Sequence, residues 1–464
     1  MKKIIALILL LITSTVFAQD ITGTWNGLLK FPGGQLPLAL NITKAESGYT
    51  ATLDSPEQGA MGIPVATIVF ENNNLVFGIP AGNIEYEGKL ENNIFKGVFR
   101  QNGYDIPLEL GRGAVKIEKA KRPQEPVQPY PYQSEDVTFK NDKAGITLAG
   151  TLTLPKKEGN FPAVVLISGS GSQNRDEEIM EHKPFLVLSD FLTRNGFAVL
   201  RFDDRGVGKS GGNPVNATTA DLATDTEAAF NFLKTRKEIN KKKIGLVGHS
   251  EGGMIAPMVA NTNPDVAFII MLAGPGIPGA EQLVLQNYLI GKADGIPEDE
   301  LTRLGAINKQ VYNVLTTETD IKAMKKNTAD ILNKEMRPFY GSKGIPESEI
   351  TQYINSQVEI MCSPWYIYFL KYNPAPAIEK LKCPVLALNG EKDLQVPPNA
   401  NLDGIKRAAE KGGNKKVTTK KLAGLNHLLQ ECTTGAMMEY GTIEQTISPT
   451  ALNEISAWLN KEVK

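Results

Sequence analysis

Two rhythms of apolar and polar positions divide this chain. From about Thr22 to Leu110 they alternate with period two in short runs, TWNGLLKF, LPLALNIT, YTATLDS, ATIVFENNNLVFGI, YEGKLENNIFKGVFRQ and YDIPLEL, punctuated by Gly, Asn and Pro. That spacing predicts a small antiparallel all-β domain, a meander or barrel. FENNNLVF and LENNIFKGVF predict hairpins that turn on asparagines, which tolerate a left-handed backbone. Further on, PAVVLIS, FAVLRFD, KIGLVGH, VAFIIMLAG, PVLALNG and KVTTKKL alternate with helical stretches. Strands that are apolar throughout are buried on both faces, so this part predicts an α/β architecture, a parallel sheet covered by helices. In TTADLATDTEAAFNFLKTR, Thr218 or Thr219 caps a helix whose Leu222, Ala229, Phe230 and Leu233 share one face, and Asp221 and Asp225 read as helix-start acids. From Ala280 to Lys380 the chain reads as helices without a strand, a lid over the sheet at about 280–375.

Two segments belong to neither rhythm. Residues 1–18 put Lys2 and Lys3 before an apolar run, Ile4 to Ile12, and end on Val16, Phe17 and Ala18, the pattern of a signal peptide cleaved after Ala18. The run is too short for a membrane anchor, which needs roughly 20 apolar residues. The chain is therefore expected to be exported, to the periplasm or the medium. Between the β domain (19–115) and the α/β domain (137–464), residues 116–136 carry prolines at 123, 126, 129 and 131 and few aliphatic side chains, which predicts a stiff linker.

Lys and Arg number 50 against 51 Asp and Glu, a net charge of −1, which argues against a nucleic-acid or anionic-membrane partner held by bulk electrostatics. Cys362, Cys383 and Cys432 are too few and too scattered for a disulfide framework or a zinc site, so no metal is expected.

The chemistry concentrates at KIGLVGHSEGGMIAPMVA. Here G-H-S-E-G, Gly248 to Gly252, joins a strand to a helix, the context that gives G-x-S-x-G its meaning as a nucleophile elbow. The turn is tight enough to need glycines on both sides, and it exposes the Ser250 hydroxyl. The following helix turns backbone N–H groups toward developing negative charge, so the amide of Glu251 is an oxyanion donor. A second donor is expected from Ser170 or Gly171 in GSGSQNRD, after the strand PAVVLIS.

A hydroxyl needs a base, and the histidines are His182, His249 and His427. His249 adjoins the nucleophile and should point away from it. His182 precedes the serine and reads as lining the cleft or a helix end. His427 follows the final strand, where the chain order serine, acid, histidine places a base. The carboxylate that orients it is expected in PVLALNGEKDLQVPP, at Asp393, with Glu391 as the alternative. GVGKSG, Gly206 to Gly211, is not a nucleotide site, because Pro214 denies it the helix and a phosphate loop would need glycine at Asp203. No cofactor is implied.

Residues 134–464 resemble bacterial α/β-hydrolase esterases with a GHSEGG elbow, through GSGSQNRDE, HKPFLVLSDFLTRNGFAVLRFDDRGVGKS, GHSEGG, SPWYIYFLKYNP and LNGEKDLQVPP. The resemblance puts the nucleophile at Ser250, the acid at Asp393 and the base at His427. Ser168 stands where many relatives have histidine before the oxyanion-loop glycine. SPEQGA and GTWNG resemble the small β domain that precedes some secreted members. Together these imply an α/β-hydrolase fold with a helical lid, preceded by an all-β domain, and a serine esterase acting on a small-molecule ester. The aromatic cluster Trp365, Tyr366, Tyr368, Phe369 and Tyr372 at the lid's exit, expected to fill the acyl side of the cleft, points to short acyl chains. Trp365, Phe369 and His182 are expected at the substrate. Two rivals remain at this stage. One is a prolyl-oligopeptidase or prolyl-aminopeptidase type of peptidase, gripping a substrate amine with lid carboxylates. The other is a β domain that binds a polymer through Trp25 and Tyr49.

Overall fold

The computed structural model describes residues 20–463 except 32–33, 47, 59, 102–103, 116–120 and 343–344. The leader read at 1–18 and the start of the linker lie outside the described residues. The chain divides into two compact units, residues 1–119 and 120–464.

In the first unit nine strands form one antiparallel sheet: β1 (Gly23–Phe31), β2 (Gly34–Ala45), β3 (Gly48–Ser55), β4 (Ala60–Pro64), β5 (Thr67–Glu71), β6 (Asn74–Ile79), β7 (Ile84–Glu91), β8 (Ile94–Gln101) and β9 (Tyr104–Gly111). The order is β4-β3-β2-β1-β9-β8-β7-β6-β5, so strands adjacent in the sheet are adjacent in sequence except β1 and β9, and the successive strands β4 and β5 stand at the two ends. Asn72, Asn73, Asn92 and Asn93 all have positive φ, and the registers Glu71↔Asn74 and Glu91↔Ile94 leave two-residue turns at the asparagines named from sequence. Trp25 is 2% exposed. Its indole N–H donates to the Ile21 carbonyl and its ring packs on Phe95. Tyr49 packs against the same core. Trp25 is thus core and offers no binding face, which removes the polymer-binding role suggested for it.

The second unit holds an eight-stranded sheet made of β10 (Gln133–Asn141), β11 (Ile146–Leu154), β12 (Phe161–Ile167), β13 (Ala198–Phe202), β14 (Ile239–His249), β15 (Phe268–Leu272), β16 (Val385–Gly390) and β17 (Val417–Leu422). Their order is β10-β11-β13-β12-β14-β15-β16-β17, parallel from β13 to β17 with β10 and β11 antiparallel. Alternate residues of each central strand enter opposite cores. Ala163, Val165 and Ile167 of β12 meet α2 (Thr219–Thr235), α3 (Glu251–Thr262) and α10 (Pro398–Lys411), while Val164 and Leu166 meet α1 (Pro184–Arg194) and α11 (Pro449–Glu462). Two-sided burial is why these strands are apolar throughout. β17 differs: its lysines mark it as a sheet edge. Thr218 caps α2 in a capping box with Asp221, whereas Asp225 is buried and accepts from Arg205 Nε at 2.7 Å.

The lid lies between β15 and β16 as α4 (Gly279–Ala293), α5 (Glu298–Thr317), α6 (Ile321–Ser342), α7 (Glu347–Met361) and α8 (Pro364–Lys371), followed by the short α9 (Ala375–Glu379). These helices share a core, Leu283, Ile307, Val311, Leu315, Ile354 and Phe369 among it, which includes Met254 of α3.

The proline-rich segment departs from the sequence reading. β10 begins at Gln133, inside the expected linker. Before it, Arg122 donates to the carbonyls of Met180, Glu181, Gly441 and Ile443. Gln124 bonds the backbone of Thr446 and Ile447. Residues 121–132 are therefore a strap fastened to the α/β unit, because two polar side chains satisfy backbone groups that would otherwise be unpaired. A fragment of residues 120–464 should fold by itself. One starting at 134 should melt at least about 5 °C lower, since each lost bond costs roughly 1 kcal/mol. Equal melting temperatures by calorimetry would show that the strap adds nothing.

Candidate active site

Four loops at the carboxyl ends of β12, β14, β16 and β17 converge above the sheet, the place where open α/β sheets present their ligands. Ser250 sits on the turn between β14 and α3 at φ 50° and ψ −118°, outside the regions open to ordinary side chains. A Cβ on Gly248 would run into the Gly252 carbonyl, and one on Gly252 into that of Ile167, so the strained turn needs both glycines. The Ser250 side chain makes no capping bond to α3.

The loop after β16 carries Asp393, whose Oδ1 accepts the backbone N–H groups of Gln395 and Val396, both at 2.8 Å. Its Oδ2 lies 2.8 Å from His427 Nδ1, with both side chains almost wholly buried. Because a carboxylate is an acceptor, this contact puts the proton of a neutral ring on Nδ1 and leaves Nε2 as its lone-pair nitrogen. Glu391 is turned elsewhere and accepts from Gly424 N at 3.0 Å.

Ser250 and His427 line one cavity of about 190 Å³ with Gly169, Ser170, His249 and Glu251. Its lid side is formed by Leu283, Trp365 and Phe369, with Gln282 and Gln286. Gly169 is pressed against the serine: a Cβ there would come within 3.2 Å of Ser250 Cβ. Of the two expected second oxyanion donors, Ser170 lines this cavity, whereas Gly171 lines a second one of about 380 Å³, which shares Ser170 and Trp365 with the first. Ser168, at the place of the relatives' histidine, donates to Asp204 Oδ1 at 2.8 Å, and Asp204 Oδ2 accepts Gln173 N at 2.9 Å. Burial pushes the Asp204 carboxyl up to about 7.

The family model described as serine aminopeptidase, S33, matches residues 182–361, which contain the serine turn and most of the lid. Esterase EstD of Thermotoga maritima is 26% identical over 341 residues, 72% of this chain and 69% of its own length. The uncharacterised protein PA2218 of Pseudomonas aeruginosa is 35% identical over 128 residues, 27% of this chain and 32% of its own. Among solved structures, that of PA2218 has a TM-score of 0.44 at 18% identity, covering 76% of this chain and 100% of that one. The esterase Pf2001 of Pyrococcus furiosus has 0.43 at 17%, covering 75% and 100%. The parallel sheet, the serine turn between β14 and α3 and the helical lid give this chain the α/β-hydrolase fold.

Within this fold one expected site residue is misplaced. His182 is fully buried, its Nε2 2.8 Å from the Tyr440 carbonyl and its Nδ1 3.0 Å from the Thr446 hydroxyl. It does not line the cavity, and burial lowers its pKa. It ties the C-terminal loops to the segment before α1 and has no access to substrate. Trp365 and Phe369 do face the cavity.

Sequence reasoning missed two carboxylate roles. The Glu251 side chain accepts from Thr219 Oγ1 at 2.6 Å and from the Trp365 indole N–H at 2.9 Å, and Ser170 also bonds it. Burial raises the pKa of this group, which joins the lid, α2 and the oxyanion loop. Glu177 accepts from Gly169 N at 2.6 Å and contacts His249. An acid inside GSGSQNRDE is visible in sequence, but its partners are not.

Proposed function

We propose that this protein is a carboxylic ester hydrolase in which Ser250 attacks the ester carbonyl, His427 takes the serine proton, and Asp393 orients the histidine and stabilises its charged form. The observation that carries this reading is the Asp393–His427 bond, which leaves Nε2 as the basic nitrogen of a ring lining the same cavity as Ser250. The carbonyl oxygen, as it becomes an oxyanion, is received by the backbone N–H groups of Glu251 and Ser170. Collapse of the tetrahedral species returns the proton from His427 to the leaving alcohol and leaves an acyl group on Ser250. Water, deprotonated by the same histidine, then releases the acid.

A peptidase reading is favoured by the description of the matching family model alone. An aminopeptidase needs a carboxylate ready for the substrate ammonium. Among the described residues lining the cavity the carboxylates are Glu177 and Glu251, and both already serve internal donors. The lid's contributions to this wall are uncharged. An ester, which brings no cation, suits such a cavity.

The aromatic wall further favours short acyl groups. Turnover of matched esters should peak between acetyl and butyryl and fall toward lauroyl, with amino-acyl and prolyl amides cleaved more slowly than their esters. Phe369→Ala should move the optimum toward longer chains. It is a cleaner variant than Trp365→Ala, which also deprives Glu251 of a donor and opens the wall to the 380 Å³ cavity. A wild-type optimum at lauroyl would refute the pocket argument, and faster cleavage of an amide than of its ester would put the peptidase first. The proposal includes export with cleavage after Ala18. Among the described residues no helix is long and apolar enough to cross a membrane.

A further inference from the structure

His249 is the one cavity-lining histidine with no part in the proton transfer, and both of its nitrogens are engaged by oxygens. Nδ1 lies 3.0 Å from Glu177 Oε1, and Nε2 lies 3.1 Å from the backbone carbonyl of His427. A carbonyl oxygen has no proton to give, so Nε2 carries one. Glu177 Oε1 also accepts the Gly169 N–H at 2.6 Å, which fits an ionised carboxylate, so Nδ1 carries a proton too. A ring that donates from both nitrogens is an imidazolium.

The surroundings agree. Enclosure alone would discharge this ring, but the Glu177 carboxylate, the His427 carbonyl and Asp393 outweigh it and raise its pKa above the ordinary histidine value. The charged or titratable groups around it are Glu177 from the oxyanion loop, Glu251 from α3, Asp393 and His427 from the loops after β16 and β17, with the His427 ring 4.8 Å away between centroids. Glu177 holds φ at 51°, a left-handed conformation that side chains seldom adopt. Such local strain persists where surrounding contacts fix it.

We propose that Glu177 and the imidazolium of His249 form a buried ion pair that positions two parts of the catalytic apparatus at once, the oxyanion loop through Gly169 N–H and the base through the His427 backbone. Neither residue is catalytic: they act through the groups they hold. The inference rests on the esterase reading, which makes His427 the base.

Three histidines make the decisive measurement direct. In full-length protein labelled with 15N at histidine, one ring at pH 7.5 should show two protonated nitrogens, and that signal should vanish in His249→Gln. In Glu177→Gln the ring should be neutral at the same pH. Glu177→Gln should lower kcat on a short ester by about 10²-fold, the cost of small misplacements at reacting groups, with KM within about threefold. Glu177→Asp, which keeps the charge, should recover part of the loss. Because the folded pKa is raised, the pair's contribution to stability is complete below the unfolded histidine value of about 6.5 and fades as pH rises through the folded one. The melting difference between wild type and His249→Gln should therefore shrink at alkaline pH.

A singly protonated His249 at pH 7.5 in wild type would overturn the proposal, even if the variants fail to fold, and so would an unchanged kcat in a folded Glu177→Gln. Neither result touches the nucleophile assignment, which fails only if Ser250→Ala keeps its turnover.

Discussion

Ser250→Ala should lower ester turnover by about five to six powers of ten while leaving a folded protein, the loss expected when a triad nucleophile is deleted. Folding should survive because the serine hydroxyl makes no capping bond to α3, and alanine keeps the same Cβ against Gly169 on the same strained turn. What remains should be the modest catalysis of the oxyanion donors and of substrate binding alone. A fluorophosphonate probe should label wild type and not the variant. Ser168 and Ser170 flank Gly169 and are the serines to watch, yet their hydroxyls are engaged, with Asp204 and Glu251 respectively. Labelling of either in Ser250→Ala, with turnover retained, would show that the nucleophile lies elsewhere.

The elbow was legible in sequence because its requirements are local: a strand, two glycines that steric exclusion demands, and a helix, all within a dozen residues. Asp393 and His427 were legible because the fold fixes the order of loops along the sheet edge, and the structure brings these two into contact. The residues that escaped sequence reasoning depend on distant partners. Glu177 meets a histidine 72 residues away, and His182 is buried by Tyr440 and Thr446, more than 250 residues away. No periodicity reports such pairings, and a histidine near a cleft-forming loop looks the same whether it faces substrate or the C-terminal segment.

The β10–β11 hairpin was missed for a different reason. β10 is an exposed edge strand, so its alternation is largely of polar residues, and it follows directly on a proline-rich stretch that reads as linker. The strap at 121–132 shows the same thing from the other side. A segment poor in aliphatic residues cannot build a core, but Arg122 and Gln124 fasten it by bonds to backbone that composition does not reveal.

Asp393→Asn should be nearly as damaging to turnover as loss of the serine, at about 10⁴-fold in kcat, although it changes one atom. The asparagine oxygen can still accept from Gln395 and Val396 N–H, so the loop after β16 should keep its shape. Its NH₂ group then faces His427 Nδ1, where a donor meets what had been a donor. The ring answers by moving its proton to Nε2, and a nitrogen that already carries a proton cannot take one from Ser250. Glu391 offers no substitute, since its carboxylate is committed to Gly424 N. Two measurements decide the matter together: kcat for a short ester, and the 15N shifts of the His427 ring, which should report the proton on Nδ1 in wild type and on Nε2 in the variant. A tautomer exchange with less than about a tenfold loss of kcat would mean that Asp393 is not orienting the base, and an unexchanged tautomer with full loss would place its contribution in stabilising the imidazolium instead.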